Sequence, residues 1–142
     1  MKLKIKKLHP DAKIPHFATE GAAGLDLTAV GYEWHEVDGG YQVKYYTGLA
    51  FEIPKGFVGL LFPRSSVCRF DLSMANSVGV IDSDYRGEVS AVFHSNRGEN
   101  TYAVGDRCCQ LVIVKLPEIK IEEVKKLTKT ARGAGGYGST GR

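Results

Sequence analysis

Several short runs of this chain carry residues suited to chemistry. Pro63-Arg64-Ser65-Ser66 sets a guanidinium beside two hydroxyls. That is a charged donor fork with small donors next to it, a good match for a phosphate. An arginine at a strand end followed by turn serines would look the same. Gly79-Val80-Ile81-Asp82-Ser83-Asp84-Tyr85-Arg86-Gly87-Glu88 brings carboxylates to the end of an apolar run. Asp, Ser and Gly favour turns on their own account, yet a carboxylate there could also be held rigidly against a substrate. Gly24-Leu25-Asp26-Leu27 puts an acid between two leucines, and an acid inside a strand needs a partner: an arginine, or a metal-bound water.

The last segment, 128–142, contains five glycines, Arg132, Tyr137, Ser139 and Thr140, and no aliphatic larger than alanine. Unhindered backbone N–H groups, hydroxyls, an aromatic ring and an arginine suit a polyphosphate with a base attached. Gly133 to Gly138 also spells Gly-x-Gly-x-x-Gly, but that motif needs a preceding strand and a following helix. Only four residues follow Gly138, so neither a dinucleotide fold nor a Walker loop is expected. The segment cannot bury enough apolar surface to offset its ordering entropy. It reads either as a disordered tail or as an arm that orders on a ligand.

The elements that must position these residues are strands. Gly and Pro total 22, leaving little room for long helices, while 13 Val, 7 Ile and 7 Thr favour extended chain. Lys2–Lys6 alternates strictly. Residues 25–30 form another strand candidate. Gly39-Gly40 reads as a hairpin turn between 32–37 and 41–46, and Pro54-Lys55-Gly56 as a turn between 49–53 and 57–62. Further candidates are 69–74, 77–81, 88–94, 101–104 and 108–116; the only helical hint is Ser73–Ser77. Turns every ~8–12 residues predict an all-β sandwich or barrel. A chain of 142 residues suits one core, expected over 1–127 with a flexible arm at 128–142.

Charge and cysteine usage exclude some classes. The net charge of +3 resides in Lys129, Arg132 and Arg142, leaving 16 basic and 16 acidic residues in 1–127. A nucleic-acid binder usually presents a broad basic face, so no nucleic-acid partner is expected. No run approaches the ~18 apolar residues of a membrane helix, and the N-terminus has no apolar stretch typical of a signal peptide. Cys68, Cys108 and Cys109 lack metal-ligand spacing and read as reduced thiols, which suggests a cytoplasmic setting. His9, His16, His35 and His94 are scattered.

Taken in order, the runs resemble the five motifs of the trimeric deoxyuridine triphosphate nucleotidohydrolases (dUTPases). The first is Ala23-Gly24-Leu25-Asp26-Leu27, the second Pro63-Arg64-Ser65-Ser66, and the third Gly79 through Gly87. Gly105-Asp106-Arg107-Cys108-Cys109-Gln110-Leu111 is the fourth, and Arg132 through Gly141 the fifth. The resemblance implies a small jelly-roll-like β-barrel that assembles as a homotrimer with shared active sites. It implies hydrolysis of dUTP to dUMP and pyrophosphate, which keeps uracil out of DNA and supplies dUMP for dTMP synthesis. Asp82 would orient and deprotonate a water attacking the α-phosphorus. Arg64, Ser65, Ser66 and Gln110 would contact phosphates, with Arg132, Gly138, Ser139 and Thr140 closing over the γ end. Mg²⁺ would bridge phosphate oxygens, assisted by Asp26 through water, and Arg107 would brace by an ion pair. Uracil would lie in a hairpin over 76–90, read by Asn76, backbone groups from Gly79 to Ile81 around Val80, and Ser90. Tyr85 would pack under the deoxyribose, and Tyr137 would stack on the base.

This chain departs from the family pattern in three places. Tyr137 stands where phenylalanine is usual, Ser66 where glycine is common, and the hairpin at 33–41 is longer than a minimal member needs. A dCTP deaminase on the same barrel would need a glutamate inside the strand after Gly87, and Val89-Ser90-Ala91-Val92-Phe93 has none. A catalytically silent nucleotide-sensing relative would be expected to lose Asp82 or the tail, and both are present.

Overall fold

Period-two alternation organises the core. In the long strand Gly40–Glu52, Val43, Tyr45 and Thr47 turn inward, while Gln42, Lys44 and Tyr46 are only half-buried. Val89, Ala91, Phe93 and Ser95 do the same in Glu88–Ser95. A computed structural model describes residues 1–141. Its strands are β1 (Lys4–Lys7), β2 (Leu25–Thr28), β3 (Gly31–Val37), β4 (Gly40–Glu52), β5 (Phe57–Pro63), β6 (Ser73–Met74), β7 (Gly79–Ile81), β8 (Glu88–Ser95) and β9 (Arg107–Lys115). All pairings are antiparallel. One sheet runs β1-β4-β8-β6 with β3 also against β4, and the other runs β2-β9-β5-β7. The two inner faces enclose Leu27, Leu49, Phe51, Leu61, Met74, Phe93, Tyr102 and Leu111. The result is a jelly-roll-like all-β barrel, as expected.

The Gly39-Gly40 hairpin forms with Val37 opposite Gly40 and Gly31 opposite Tyr46. A bulge interrupts β4 between Tyr46 and Ala50. Gly48 sits there at φ 66, where an added Cβ would lie 2.7 Å from His9 Cβ, so only glycine fits. The Glu88 carboxylate accepts the Gly48 N–H at 2.7 Å and fixes the bulge.

Pro54-Lys55-Gly56 is a turn, as expected, and it carries the chain from one sheet to the other, because β4 and β5 do not pair. Other expectations change. Residues 101–104 form no strand; Tyr102 is buried there in an irregular loop. The candidate at 69–74 shrinks to β6, and the helical turn lies at Ser65–Arg69 instead of Ser73–Ser77. Beyond β9, which ends at Lys115, residues 116–127 are exposed.

Candidate active site

Strands β2, β5 and β9 bring three of the motifs together. Asp26 lies opposite Gln110 across β2–β9, and Gln110 lies opposite Phe62 across β9–β5. The chain leaves β5 at Pro63, so Arg64 emerges beside both. Arg64 Nε donates to Asp26 Oδ1 at 2.8 Å, and Arg107 Nη1 donates to Asp26 Oδ2 at 3.1 Å. The acid in the strand therefore finds two arginines as partners. Gln110 Nε2 donates to the Pro63 carbonyl at 3.0 Å, and a Cβ on Gly24 would come within 2.7 Å of Gln110 Oε1. Glycine at 24 thus leaves the space that the glutamine side chain fills.

Ser65 and Ser66 open the single helical turn Ser65–Arg69. Ser65 is exposed. Ser66 turns inward: its Oγ lies 3.2 Å from Arg64 Nη1 and 2.9 Å from the Tyr102 hydroxyl. The two serines, expected to act alike on a phosphate, are therefore different: Ser65 offers a free hydroxyl and Ser66 an engaged one. An open cavity of about 210 Å³ is lined by Arg64, Ser66, Arg69, Tyr102, Asp106 and Arg107 among others. Asp106 is a turn anchor, with its carboxylate accepting the Ala103 N–H at 2.9 Å.

The third motif sits elsewhere. β7 pairs with β5 while β8 pairs with β4 and β6, so residues 76–90 are a wedge between two sheets and not a paired hairpin. Within it Gly79 is buried against Leu61, Val80 is exposed, and Ile81 packs on the core. The Asn76 amide nitrogen lies 3.6 Å from where a Gly79 Cβ would be. Ser90 is half-buried on β8 opposite Tyr46. Tyr85 N–H donates to the Asp82 carbonyl at 3.2 Å, and the Tyr85 ring folds back over Gly87, where a Cβ would meet the phenol oxygen at 2.4 Å. The Tyr85 hydroxyl donates to the Glu88 carbonyl at 3.1 Å. Asp82 is exposed, and its carboxylate has no hydrogen-bond or salt-bridge partner among the described residues. It lines a cavity of about 720 Å³ with Lys55, Phe57, Ser83, Asp84 and Arg86 among others.

These two groups do not meet within one chain. Ile81 lies opposite Gly59, and Arg64 is five residues further along β5 and its exit. Asp82, one position further from Arg64 than Ile81, is therefore about 20 Å away from it at ~3.3 Å per residue. The tail is a third, separate surface. Turns at Gly133, Gly135, Ser139 and Gly141 shape it, Arg132 Nε donates to the Gly135 carbonyl at 2.8 Å, and Tyr137, Gly138, Ser139 and Thr140 are exposed.

Sequence and fold comparisons agree on a family. The deoxyuridine 5'-triphosphate nucleotidohydrolase of Wolinella succinogenes is 39% identical over 145 residues, spanning 100% of this chain and 95% of that protein. A Staphylococcus bacteriophage 80alpha dUTPase mutant solved with dUpNHpp superposes with a TM-score of 0.85 at 24% identity, covering 99% of each chain. A mutant dUTPase from phage phi11 of S. aureus, whose structure is described as revealing the coordination of a structural Mg(II) ion, gives 0.75 at 23% identity over 89% of this chain and 98% of that one. At such identities the two phage structures establish the fold, whereas the sequence matches reach further. Residues 10–141 match the dUTPase family profile, and with them nearly the whole chain belongs to the dUTPase family.

Proposed function

We propose that this protein hydrolyses dUTP to dUMP and pyrophosphate as a homotrimer whose active sites lie between subunits. One observation carries this reading. The Asp82 wedge and the Arg64 cluster lie about 20 Å apart along β5 and its exit, and the tail shares no hydrogen bond with either among the described residues. In this reading a nucleoside triphosphate touching all three draws on more than one chain.

In this reading Asp82 is the general base. A carboxylate without a competing partner, fixed at the end of a paired strand, can take a proton from a water within hydrogen-bond reach. Water attacks the α-phosphorus and pyrophosphate leaves. Arg64, Ser65 and Gln110 of a neighbouring copy hold phosphate oxygens, and a tail brings Arg132, Gly138, Ser139 and Thr140 to the γ end. Asn76, Ser90 and the backbone of Gly79, Val80 and Ile81 read uracil. A cytosine amine would mispair with backbone groups matched to uracil, costing ~1–3 kcal/mol per unsatisfied group. The Tyr85 ring, packed on Gly87, sets the floor under the deoxyribose, and Tyr137 stacks on the base.

The described residues hold no cluster of three or more His, Cys, Asp or Glu fit to cage a metal. That suits Mg²⁺, which commonly keeps its waters and binds through one or two carboxylates and substrate phosphates. Asp26 fits as a water-mediated contact, because each oxygen has one arginine partner and a carboxylate offers about four lone-pair sites. When bound, the ion disperses charge developing on the triphosphate.

The exposed arm supports the trimer. Ile119, Ile121 and Leu127 are 74, 96 and 85% exposed. The outer edge of β1 is unpaired among the described residues, and Leu3, Ile5, Phe17, Leu25 and Ile113 line a cavity of about 440 Å³ between β1 and β2. Glu118-Ile119-Lys120-Ile121-Glu122 alternates as a strand does and complements Lys4 and Lys6 of β1. An arm from a second copy would cover both apolar surfaces. The body then ends near Lys115, and the arm divides into a docking part, 116–127, and a substrate-closing part, 128–142. Three free cysteines suit a reducing cytoplasmic setting, in which the activity would limit dUTP and supply dUMP for dTMP synthesis.

Incubation with dUTP or dCTP and Mg²⁺ tests the reaction. Pyrophosphate and dUMP from dUTP are expected. Ammonia from dCTP, or no product from either nucleotide, would overturn it.

A further inference from the structure

Arg64 has five N–H donors in a fixed plane. Three are engaged: Nε with Asp26 at 2.8 Å, and Nη1 with Ser66 Oγ and the Arg107 carbonyl, both at 3.2 Å. Nη2 has no partner among the described residues, so it is the edge left for an anion. The direction in which that edge points is set by what holds the other three donors. Asp26 is itself fixed by strand pairing and by Arg107. Ser66 is on a short turn and would rotate freely at χ1 without a second contact.

That contact comes from outside the five motifs. The Tyr102 hydroxyl lies 2.9 Å from Ser66 Oγ. Tyr102 is 3% exposed. Its ring packs on Phe70 with centroids 4.3 Å apart and meets Tyr45 and Phe93 edge-on at 5.9 and 6.3 Å. Its carbonyl accepts from the Tyr45 hydroxyl at 3.1 Å. The loop is pinned further at Asn100, in the left-handed region at φ 52, whose side-chain amide donates to the Arg69 carbonyl at 2.8 Å. Burial raises the Tyr102 pKa, so its oxygen stays a neutral phenol and hydrogen-bonds without repelling or competing for the arginine's charge.

We infer that Tyr102 is a positioning residue: through Ser66 it orients the Arg64 guanidinium so that Nη2 faces the substrate phosphate. This rests on the hydrolytic reading above, and it gives Ser66 a role inside the protein in place of a direct phosphate contact. The common glycine at position 66 could not form such a relay, having no side-chain oxygen.

A double-mutant cycle tests the relay. Tyr102→Phe keeps the ring and removes the hydroxyl; Ser66→Ala removes the other oxygen. Because Arg64 would hold phosphate in ground and transition states alike, each change should raise KM for dUTP about three- to tenfold with kcat within about twofold. The double variant should be no worse than the poorer single one, whereas independent roles would multiply. Ser66→Thr, which keeps a hydroxyl, should stay close to the wild type. In nucleotide-free protein, ¹⁵N NMR should find rotation of the Arg64 guanidinium slowed in the wild type and released in both variants. Multiplying effects, or unchanged Arg64 rotation in Ser66→Ala, would overturn the relay. If the wild type fails to turn over dUTP, the hydrolytic reading falls and the NMR comparison still decides the relay. If Tyr102→Phe does not fold, Ser66→Ala alone decides it.

Discussion

Asp82 and Asp26 are both carboxylates near an apolar strand, and their surroundings give them opposite uses. Asp26 is held by two guanidinium groups at 2.8 and 3.1 Å, so it fixes both arginines and keeps only its remaining lone pairs for a water. Asp82 has no such partner among the described residues and keeps its lone pairs for water. Replacing Asp82 with Asn keeps the shape and removes the proposed base. The expected result is a kcat lower by ~10²–10⁴-fold with dUTP binding retained, read by steady-state kinetics and calorimetry. Near-normal turnover would exclude the role. Asp82 and Arg64 stand out in the sequence as candidates because they sit in short polar runs beside apolar strands, whereas Gln110 enters only through the family resemblance. Tyr102 was not legible. Thr101-Tyr102-Ala103-Val104 reads as an ordinary strand, and nothing local announces that a hydroxyl in it reaches a serine 36 residues away. Ser66 was only half legible: its hydroxyl was visible, but not the direction it faces.

At the scale of elements, turn residues and runs rich in Val, Ile, Thr and Tyr mark most strands. They do not report which sheet a strand joins. The Gly39-Gly40 turn leaves two strands in one sheet, while Pro54-Lys55-Gly56 and the run 82–87 each move the chain between sheets. That difference depends on distant partners, Lys4–Lys7 for β4 and Arg107–Lys115 for β5. The switch at 82–87 matters in the proposed reading, where Tyr85 forms the floor under the sugar. Its ring packs over Gly87, where an added Cβ would clash with the phenol oxygen and ring carbons. Gly87→Ala should therefore push the 44%-exposed Tyr85 outward. An exposed ring moves cheaply, so stability should fall by less than about 1 kcal/mol. The floor under the sugar is lost, so kcat/KM for UTP should rise relative to dUTP, and Tyr85→Ala should do the same more strongly. Measuring both substrates for both variants checks this; an unchanged ratio with dUTP still turned over counts against Tyr85 as the sugar gate.

The whole molecule is where a single sequence says least, because the partner surfaces of an assembly look like ordinary exposed residues. In the proposed reading two functions share one extended arm. Its first part, 116–127, carries Ile119, Ile121, Val124 and Leu127, all exposed, and burying such side chains stabilises by ~1.5–3 kcal/mol each when complete. Its second part, 128–142, has no aliphatic side chain larger than alanine and carries the whole charge excess. In the proposed reading the first part docks on protein and the second closes on an anion. Ordering the second costs ~1–2 kcal/mol of backbone entropy per residue, which only a strong ligand such as a triphosphate offsets. Two truncations separate the roles. Ending the chain after Thr130 should leave the trimer and its nucleotide-free melting temperature nearly unchanged while removing most hydrolysis, since Arg132, Tyr137, Ser139 and Thr140 are gone. Ending it after Leu116 should also remove the docking strand, lower the melting temperature and shift the mass by light scattering toward the monomer. Tyr137→Phe should stay active throughout, because the ring stacks and the hydroxyl has no partner among the described residues. A Thr130 truncation that melts far lower would make the glycine-rich segment structural. A Leu116 truncation that remains a trimer would place subunit contacts entirely within the barrel.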